Sequence, residues 1–136
     1  MRKNIITFGT FDLLHVGHIN FLSRASQLGR LIVGIATDEL SYRNKNTIPV
    51  IPQEQRIQMV QSICHVSEVF LEENYGGYIN IKGKKEYIKK YGADILVMGN
   101  DWEGTFDYLN NYCEVIYLER TKNISTTQII NKILER

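Results

Sequence analysis

The sequence is poor in cysteine and proline, with two of each among its 136 residues. Cys64 and Cys113 match no metal-ligand spacing and are too few for a disulfide framework, so we expect free thiols in a reducing cytoplasm. No stretch approaches the roughly 20 apolar residues of a membrane span. The apolar run after Arg2-Lys3 is also too short for a secretion signal. These absences favour a cytoplasmic protein that does not bind membranes.

A surplus of one charge is also absent, since 16 Lys and Arg residues against 15 Asp and Glu give a formal net charge of +1. Such a balance provides no electrostatic attraction for nucleic acid, which is therefore not expected as a partner. The basic run at residues 82–85, with Lys89 and Lys90, is most simply a solvated helix face. No linker or internal repeat divides the chain, so residues 1–136 are expected to form one domain.

Short apolar runs alternate with segments of helical periodicity along the chain. The polar segment 41–52 contains both prolines and is expected to be a loop. The alternation predicts an α/β fold: a single-domain, Rossmann-like, doubly wound, five-stranded parallel sheet with helices on both faces. The predicted strands are 3–8, 31–36, 66–71, 94–98 and 114–118, and the predicted helices are 17–28, 53–64, 78–91 and 125–136.

Polar residues cluster just after the predicted strands. Residues 10–18 follow the first strand, Asp38 the second, Asn100 and Asp101 the fourth, and residues 120–126 the fifth. Open parallel sheets bind ligands beyond the carboxyl ends of their strands, so a binding site is expected at this edge. A Gly-x-Gly-x-x-Gly motif is absent from the sequence, which argues against a dinucleotide site.

Residues 9–18 read Gly-Thr-Phe-Asp-Leu-Leu-His-Val-Gly-His and join the first strand to the first helix. A helix N-terminus has unpaired N–H groups and the positive end of the helix dipole, both of which suit a phosphate. His15 and His18 can flank one anion there and stabilise charge that develops on a phosphoryl group. Each residue alone also has a structural explanation, because histidines near helix starts often only pack and Asp12 can cap the turn.

A second motif, Arg-Thr-Lys-Asn-Ile-Ser-Thr-Thr at residues 120–127, precedes the last predicted helix. Its Ser125 stands three residues before Gln128, which is the spacing of a capping box. Capping alone explains that serine as well as phosphate binding does, and both roles can coexist at one helix start.

Together the two motifs resemble the signatures of the cytidylyltransferases, within the nucleotidyltransferases that carry a His-x-Gly-His motif. The segment Met-Gly-Asn-Asp-Trp-Glu-Gly at residues 98–104 is similar to that of members acting on glycerol 3-phosphate. The resemblance extends from about Ile5 to the last helix. It implies transfer of CMP from CTP to a small phosphorylated alcohol, with glycerol 3-phosphate favoured, for a teichoic-acid-like or capsular polymer. It also implies a homodimer and a Mg²⁺ cofactor bound with CTP.

The resemblance also assigns roles to residues. It implies that His15 and His18 are catalytic, and that Arg120 binds either the triphosphate or the cytosine. The metal ligands stay open, although Asp12 and Asp101 are the nearest carboxylates. The nucleotide-binding residues it implies are Gly9, Thr10, Phe11, His15, His18, Asp38, Asn100, Arg120, Thr121, Ile124, Ser125 and Thr126, and the acceptor-binding residues are Asp12, Lys45, His65 and Asp101.

Three departures from the family pattern concern the acceptor. Cys64 stands where a basic residue is expected, Asn100 replaces an aspartate, and extra residues lie between positions 74 and 85. His65 is the nearest substitute for the missing cation, and the lysines of residues 82–85 are more distant ones. Another phosphorylated acceptor, ATP in place of CTP, or a non-catalytic nucleotide-binding module are therefore alternatives, although two retained histidines favour an enzyme.

Overall fold

A computed structural model describes residues 2–73 and 81–136 of the chain. The start of the predicted helix 78–91 lies outside these residues. The strands are β1 (Asn4–Gly9), β2 (Arg30–Ala36), β3 (Glu68–Glu72), β4 (Ile95–Gly99) and β5 (Glu114–Leu118). The helices are α1 (Val16–Ser26), α2 (Asp38–Lys45), α3 (Gln53–Gln61), α4 (Ile81–Lys90) and α5 (Thr126–Leu134), and 3₁₀ turns cover Asn100–Trp102 and Asp107–Asn111.

The five strands form one parallel sheet in the order β3-β2-β1-β4-β5. The chain runs outward from β1 to β3 and then crosses back to place β4 on the other side of β1. The strand order therefore reverses between β1 and β4, which is where doubly wound sheets bind ligands. The predicted fold is confirmed.

Helices cover both faces of the sheet because successive strand residues point to opposite sides. In β1, Ile5 packs in one apolar cluster with Leu22 of α1 and Val60 of α3. Its neighbour Ile6 packs in the other cluster, with Ile88 of α4. All four isoleucine and leucine side chains are at most 2% exposed. Burial on both faces explains why the strands are continuous apolar runs in the sequence.

The predicted loop at 41–52 is wrong in its first part, because Asp38–Lys45 forms α2. The Thr37 hydroxyl accepts a hydrogen bond from Leu40 N and caps the helix start. Acidic residues in the first turn and basic ones in the last turn complement the helix dipole. The helix ends at Asn46, which adopts a left-handed conformation with φ 60°. Because this segment is mostly polar, its sequence did not indicate a helix. Leu40 is the main residue that α2 contributes to the core.

The interpretation of residues 82–85 with Lys89 and Lys90 as a solvated face is wrong for Lys84. Lys89 and Lys90 are exposed as expected. Lys84 instead has a buried side chain that is paired with Glu72 at the end of β3. It lies three and four residues before the buried Tyr87 and Ile88, so it belongs to the inner face of α4.

Arg56 of α3 is a fully buried cation that ties the carboxyl edge of the sheet together. Its guanidinium donates to the carbonyl oxygens of Thr10, Ala36 and Ile51 at 2.7–2.9 Å. It also pairs with the Asp38 carboxylate at 2.6 Å. The segments after β1 and β2 and the loop before α3 are therefore fixed relative to one another.

Candidate active site

A cavity of about 720 Å³ opens at the carboxyl edge of the sheet, over the point where the strand order reverses. The turn of residues 9–18 forms one wall, and the end of α2 with the loop that follows it, up to residue 50, forms another. The end of β4 and residues 120–127 close the opposite side. The two sequence motifs, which are more than 100 residues apart, therefore meet at one site.

The turn between β1 and α1 has an unusual backbone. Phe11 and Leu13 both have positive φ values, of 55° and 48°. Such left-handed residues are costly for large side chains and persist where the surroundings hold them in place. Asp12 between them supplies that hold, since its carboxylate accepts hydrogen bonds from Val50 N at 2.7 Å and Ile51 N at 2.9 Å.

The two motif histidines cap the start of α1. His15 Nδ1 accepts a hydrogen bond from Gly17 N at 3.1 Å, and His18 Nδ1 accepts one from His15 N at 3.2 Å. The rings stack with centroids 3.8 Å apart. A neutral imidazole whose Nδ1 accepts carries its hydrogen on Nε2. Both histidines line the cavity, and within the described part of the chain neither Nε2–H group donates a hydrogen bond, so both can serve a ligand.

Burial and neighbouring positive charge keep these imidazoles neutral. Desolvation lowers the pKa of His18 to about 4, helped by His15 and Arg120 and opposed by Asp12. Desolvation, followed by Arg120, also lowers the pKa of His15. The free site therefore presents two hydrogen-bond donors that bear no charge at neutral pH.

Gly17 is required for this arrangement. A Cβ at that position would lie 2.8 Å from His15 Cε1 and 3.2 Å from Ile124 Cγ2. The missing side chain lets the imidazole of His15 fold back onto the helix start and lets the second motif approach it.

Arg120 reaches the cavity from the loop after β5. Its guanidinium forms a bidentate pair with Asp101, with Nε to Oδ1 at 2.8 Å and an Nη2 to Oδ2 distance of 3.1 Å. Both side chains are half exposed, so the pair contributes little stability. Its effect is to orient an arginine at the rim. Gly99 gives it room, since a Cβ there would lie 2.7 Å from Asp101 Oδ1.

The N-terminus of α5 forms the rest of this wall. The Ser125 hydroxyl accepts a hydrogen bond from Gln128 N at 3.1 Å and so acts as the N-cap. Thr126 donates from its hydroxyl to the carbonyl oxygen of Asp12 at 2.9 Å, which joins the two motifs directly. Of the predicted capping box, the bond to the Ser125 hydroxyl is formed, and the serine also lines the cavity.

Most of the predicted site residues converge here. Asn100 and Asp38 do not line this cavity, and Asp38 is engaged by Arg56. His65 also lies outside it, and Asp101 reaches it through Arg120. The predicted residues that line the cavity are Gly9, Thr10, Phe11, Asp12, His15, His18, Lys45, Arg120, Thr121, Ile124, Ser125 and Thr126. Their roles in binding stay predictions.

Among the polar residues of the cavity wall, sequence reasoning missed Ser41 and Glu72, and it named Lys84 only as one of the lysines of residues 82–85 that could replace the missing cation. Ser41 fell in the segment expected to be a loop. Glu72 fell just outside the predicted strand 66–71, although it is the last residue of β3. For Lys84 the sequence did contain a signal. Its spacing of three and four residues from Tyr87 and Ile88 places this lysine on the apolar face of the helix.

Metal-binding side chains are not clustered in the part of the site that the structure describes. Among the residues that the structure describes, no group of three His, Cys, Asp or Glu side chains is arranged to hold one. Both carboxylate oxygens of Asp12 accept backbone N–H bonds, and those of Asp101 are held by Arg120. The donors present are N–H and hydroxyl groups and cationic side chains, which suit a polyphosphate.

Fold and site together define an α/β protein of the doubly wound type with a cavity whose donor groups suit a polyphosphate. The profile of the cytidylyltransferase-like family matches residues 6–132. The chain belongs to this family, as the sequence motifs led us to expect.

Curated relatives cover nearly the whole chain. A glycerol-3-phosphate cytidylyltransferase of Staphylococcus aureus (strain NCTC 8325 / PS 47) is 46% identical over 93% of this chain and 92% of its own length. That of Bacillus subtilis (strain 168) is 46% identical over 96% of this chain and 97% of its own length. An FAD synthase of Pyrococcus abyssi is 34% identical over 98% of this chain and 94% of its own.

Solved structures share the fold at low sequence identity. A lipopolysaccharide core biosynthesis protein from Thermoplasma volcanium superposes with a TM-score of 0.73 at 21% identity, over 90% of this chain and all of that one. A nicotinate-nucleotide adenylyltransferase homologue from Vibrio parahaemolyticus gives 0.63 at 18% identity, over 99% of this chain and 88% of that one. These likenesses concern the fold alone.

The lowered pKa of His18 predicts a titration that can be measured. Its imidazole should stay neutral in the folded, ligand-free protein down to about pH 4. The unfolded chain takes up that proton near pH 6.5. The free energy of unfolding should therefore fall as the pH drops from about 6.5 towards 4. An NMR pH titration of the imidazole signals measures the midpoint of His18 protonation, with the urea-unfolded chain as control. A midpoint near pH 6.5 in the folded protein would contradict the prediction.

Proposed function

We propose that this protein transfers CMP from CTP to glycerol 3-phosphate, giving CDP-glycerol and pyrophosphate. The observation that carries the proposal is the pair of neutral imidazoles at the start of α1, whose Nε2–H groups remain available within the cavity. The curated relatives that are 46% identical are named for this activity, and they cover almost the whole chain.

The reaction requires no nucleophilic side chain from the protein. The attacking group is a phosphate oxygen of the acceptor, which already carries the electron pair. It forms a P–O bond to the α-phosphorus of CTP as the bond to the pyrophosphate oxygen breaks. The protein must hold two anions in line and stabilise charge on the transferring group and the leaving pyrophosphate. Donors from His15 and His18 serve this purpose without any proton transfer.

The second motif would hold the nucleotide. Ser125 and Thr126 begin α5, where the helix dipole attracts the β- and γ-phosphates. Arg120, oriented by Asp101, would reach either the triphosphate or the cytosine ring. Lys45 at the end of α2 lines the opposite wall and would add a positive charge.

We propose that Mg²⁺ enters with CTP, bound mainly by phosphate oxygens and water, which is how it binds many nucleotide enzymes. Its chemistry there would be to neutralise triphosphate charge. The family resemblance supports a homodimer, a cytoplasmic location and a product used for a teichoic-acid-like or capsular polymer. No helix in the described part of the chain is long and apolar enough to cross a membrane.

Pyrophosphate release tests the proposed function. Purified protein with Mg²⁺ and CTP should release pyrophosphate when glycerol 3-phosphate is added, and should do so much more slowly with ATP or with other alditol and sugar phosphates. His18→Ala removes one donor and should lower turnover by about 10²–10³-fold. The same turnover measurement on His15→Ala tests the other donor.

Two results would contradict this assignment. Preference for a different acceptor or for ATP would favour the corresponding alternative transferase. Binding of CTP without turnover with any acceptor would favour a non-catalytic nucleotide-binding module.

Replacing Ser125 by aspartate separates capping from phosphate binding. Aspartate caps helices as well as serine does and also suits the dipole, so the free energy of unfolding should not fall. Its carboxylate would repel the triphosphate, so we expect the dissociation constant for CTP to rise at least about tenfold, which corresponds to about 1.4 kcal/mol. Calorimetric binding and urea unfolding measure the two effects.

The matched variant is Ser125→Ala, which removes both the cap and the hydroxyl and should cost about 1 kcal/mol of stability. Unchanged CTP affinity in Ser125→Asp would show that Ser125 acts only as a cap.

A further inference from the structure

The segment that carries Arg120 lies between two regular elements. β5 ends at Leu118 and α5 begins at Thr126, so residues 119–125 belong to no strand or helix. Side-chain contacts therefore determine where this segment lies. The ion pair between Arg120 and Asp101 is a weak constraint by itself, because both of its side chains are half exposed.

Two side chains of α1 contact this segment. Arg24 Nη1 donates to the carbonyl oxygen of Glu119 at 2.8 Å. Asn20 Nδ2 donates to the hydroxyl oxygen of Thr121 at 3.0 Å. The two hydrogen bonds therefore hold the residues directly before and directly after Arg120.

The contacts continue in a regular order towards the start of α1. A Cβ at Gly17 would lie 3.2 Å from Ile124 Cγ2, and Thr126 Oγ1 donates to the carbonyl oxygen of Asp12 at 2.9 Å. Residue numbers rise along the second motif as they fall along α1 and the turn before it. The second motif therefore lies antiparallel to residues 12–24.

The spacing of the two donors fits the segment that they hold. Side chains four residues apart on a helix are neighbours, with their Cβ atoms roughly 5–6 Å apart, and Asn20 and Arg24 have this spacing. Two residues of an extended chain span at most about 7 Å. One turn of α1 therefore matches the distance from residue 119 to residue 121, with Arg120 between them.

The core of the protein does not depend on these two contacts. Asn20 and Arg24 are exposed and lie outside the lining of the cavity. Hydrogen bonds at the surface compete with water and contribute little to stability. Both residues nevertheless belong to the helix that His15 and His18 cap. One helix therefore connects the imidazole donors to the guanidinium of Arg120.

We propose that Asn20 and Arg24 are positioning residues, which hold Arg120 in register with His15 and His18 so that all three side chains act on one polyphosphate. This inference rests on the proposed function, and it assigns no contact with the nucleotide to either residue. An arginine that is already held in place loses little freedom when a ligand binds, so the two hydrogen bonds favour binding of CTP.

The double variant Asn20→Ala/Arg24→Met tests this role. Alanine and methionine suit a helix at least as well as asparagine and arginine, so α1 should stay intact, and urea unfolding checks this. The dissociation constant for CTP, measured by calorimetry, should rise at least about tenfold, since misplacing a group by about 1 Å can cost about 100-fold. KM for glycerol 3-phosphate should not change.

The same two changes in an Arg120→Met background separate positioning from other effects. With Arg120 absent there is no guanidinium left to position, so adding both changes should alter the dissociation constant for CTP by less than about twofold. An equal loss with and without Arg120 would overturn the inference, because it would show that the two residues act through the charge of Arg24 or through the fold.

Two further variants complete the test. Asn20→Ala alone removes no charge and should also weaken CTP binding, and an unchanged dissociation constant would exclude Asn20 from the role. Arg30→Met is the control for the loss of a positive charge. Arg30 pairs with Glu68 at the start of β2, at the opposite edge of the sheet from the cavity, so its replacement should leave CTP binding unchanged.

The outcomes separate this inference from the proposed function. A wild-type protein that does not bind CTP overturns both. CTP binding without turnover, combined with the expected loss in the double variant, overturns only the transfer reaction. Wild-type turnover combined with normal CTP binding in the double variant overturns the role of Asn20 and Arg24 and leaves CMP transfer intact.

Discussion

The arrangement of the site depends on one buried cation, Arg56. Three carbonyl oxygens from Thr10, Ala36 and Ile51 and the carboxylate of Asp38 converge on its guanidinium. These acceptors belong to the segments that leave β1 and β2 and to the loop before α3, so one side chain fixes three edges of the cavity. Only arginine has enough donors in a planar fork to do this, and it carries its charge at every relevant pH.

The strained turn follows from this constraint. With Thr10 and Ile51 held by Arg56, Asp12 lies where its carboxylate accepts the N–H groups of Val50 and Ile51, and the left-handed residues on either side of it are kept in place. The chain then enters α1 with both histidines folded back on the helix start, and this selects neutral imidazoles with Nε2–H groups available. The hydrogen bonds of Arg56 and Asp12 therefore determine which imidazole donors face the cavity.

The fold could be predicted because it depends on local patterns: buried strands are apolar runs, and the two motifs fall after β1 and β5. The missed features depend on tertiary contacts. Helix α2 is polar and relies on its Thr37 cap and on Leu40 in the core. Lys84 is ordinary in composition, and its pairing with Glu72 follows from the packing of α4 against the sheet. Arg56 gave no sequence signal, since three of its partners are backbone carbonyls.

The effect of Arg56→Met tests the dependence on this cation most directly, with Arg43→Met as control because Arg43 forms an exposed pair with Glu39. Urea unfolding and calorimetric CTP binding should be measured on both variants. We predict that Arg56→Met, which leaves buried carbonyls and Asp38 without their donor, loses about 3 kcal/mol or more of stability, and that its folded form binds CTP more weakly. Arg43→Met should stay within about 0.5 kcal/mol of the parent. An Arg56→Met protein with the stability and CTP affinity of the control would contradict the account.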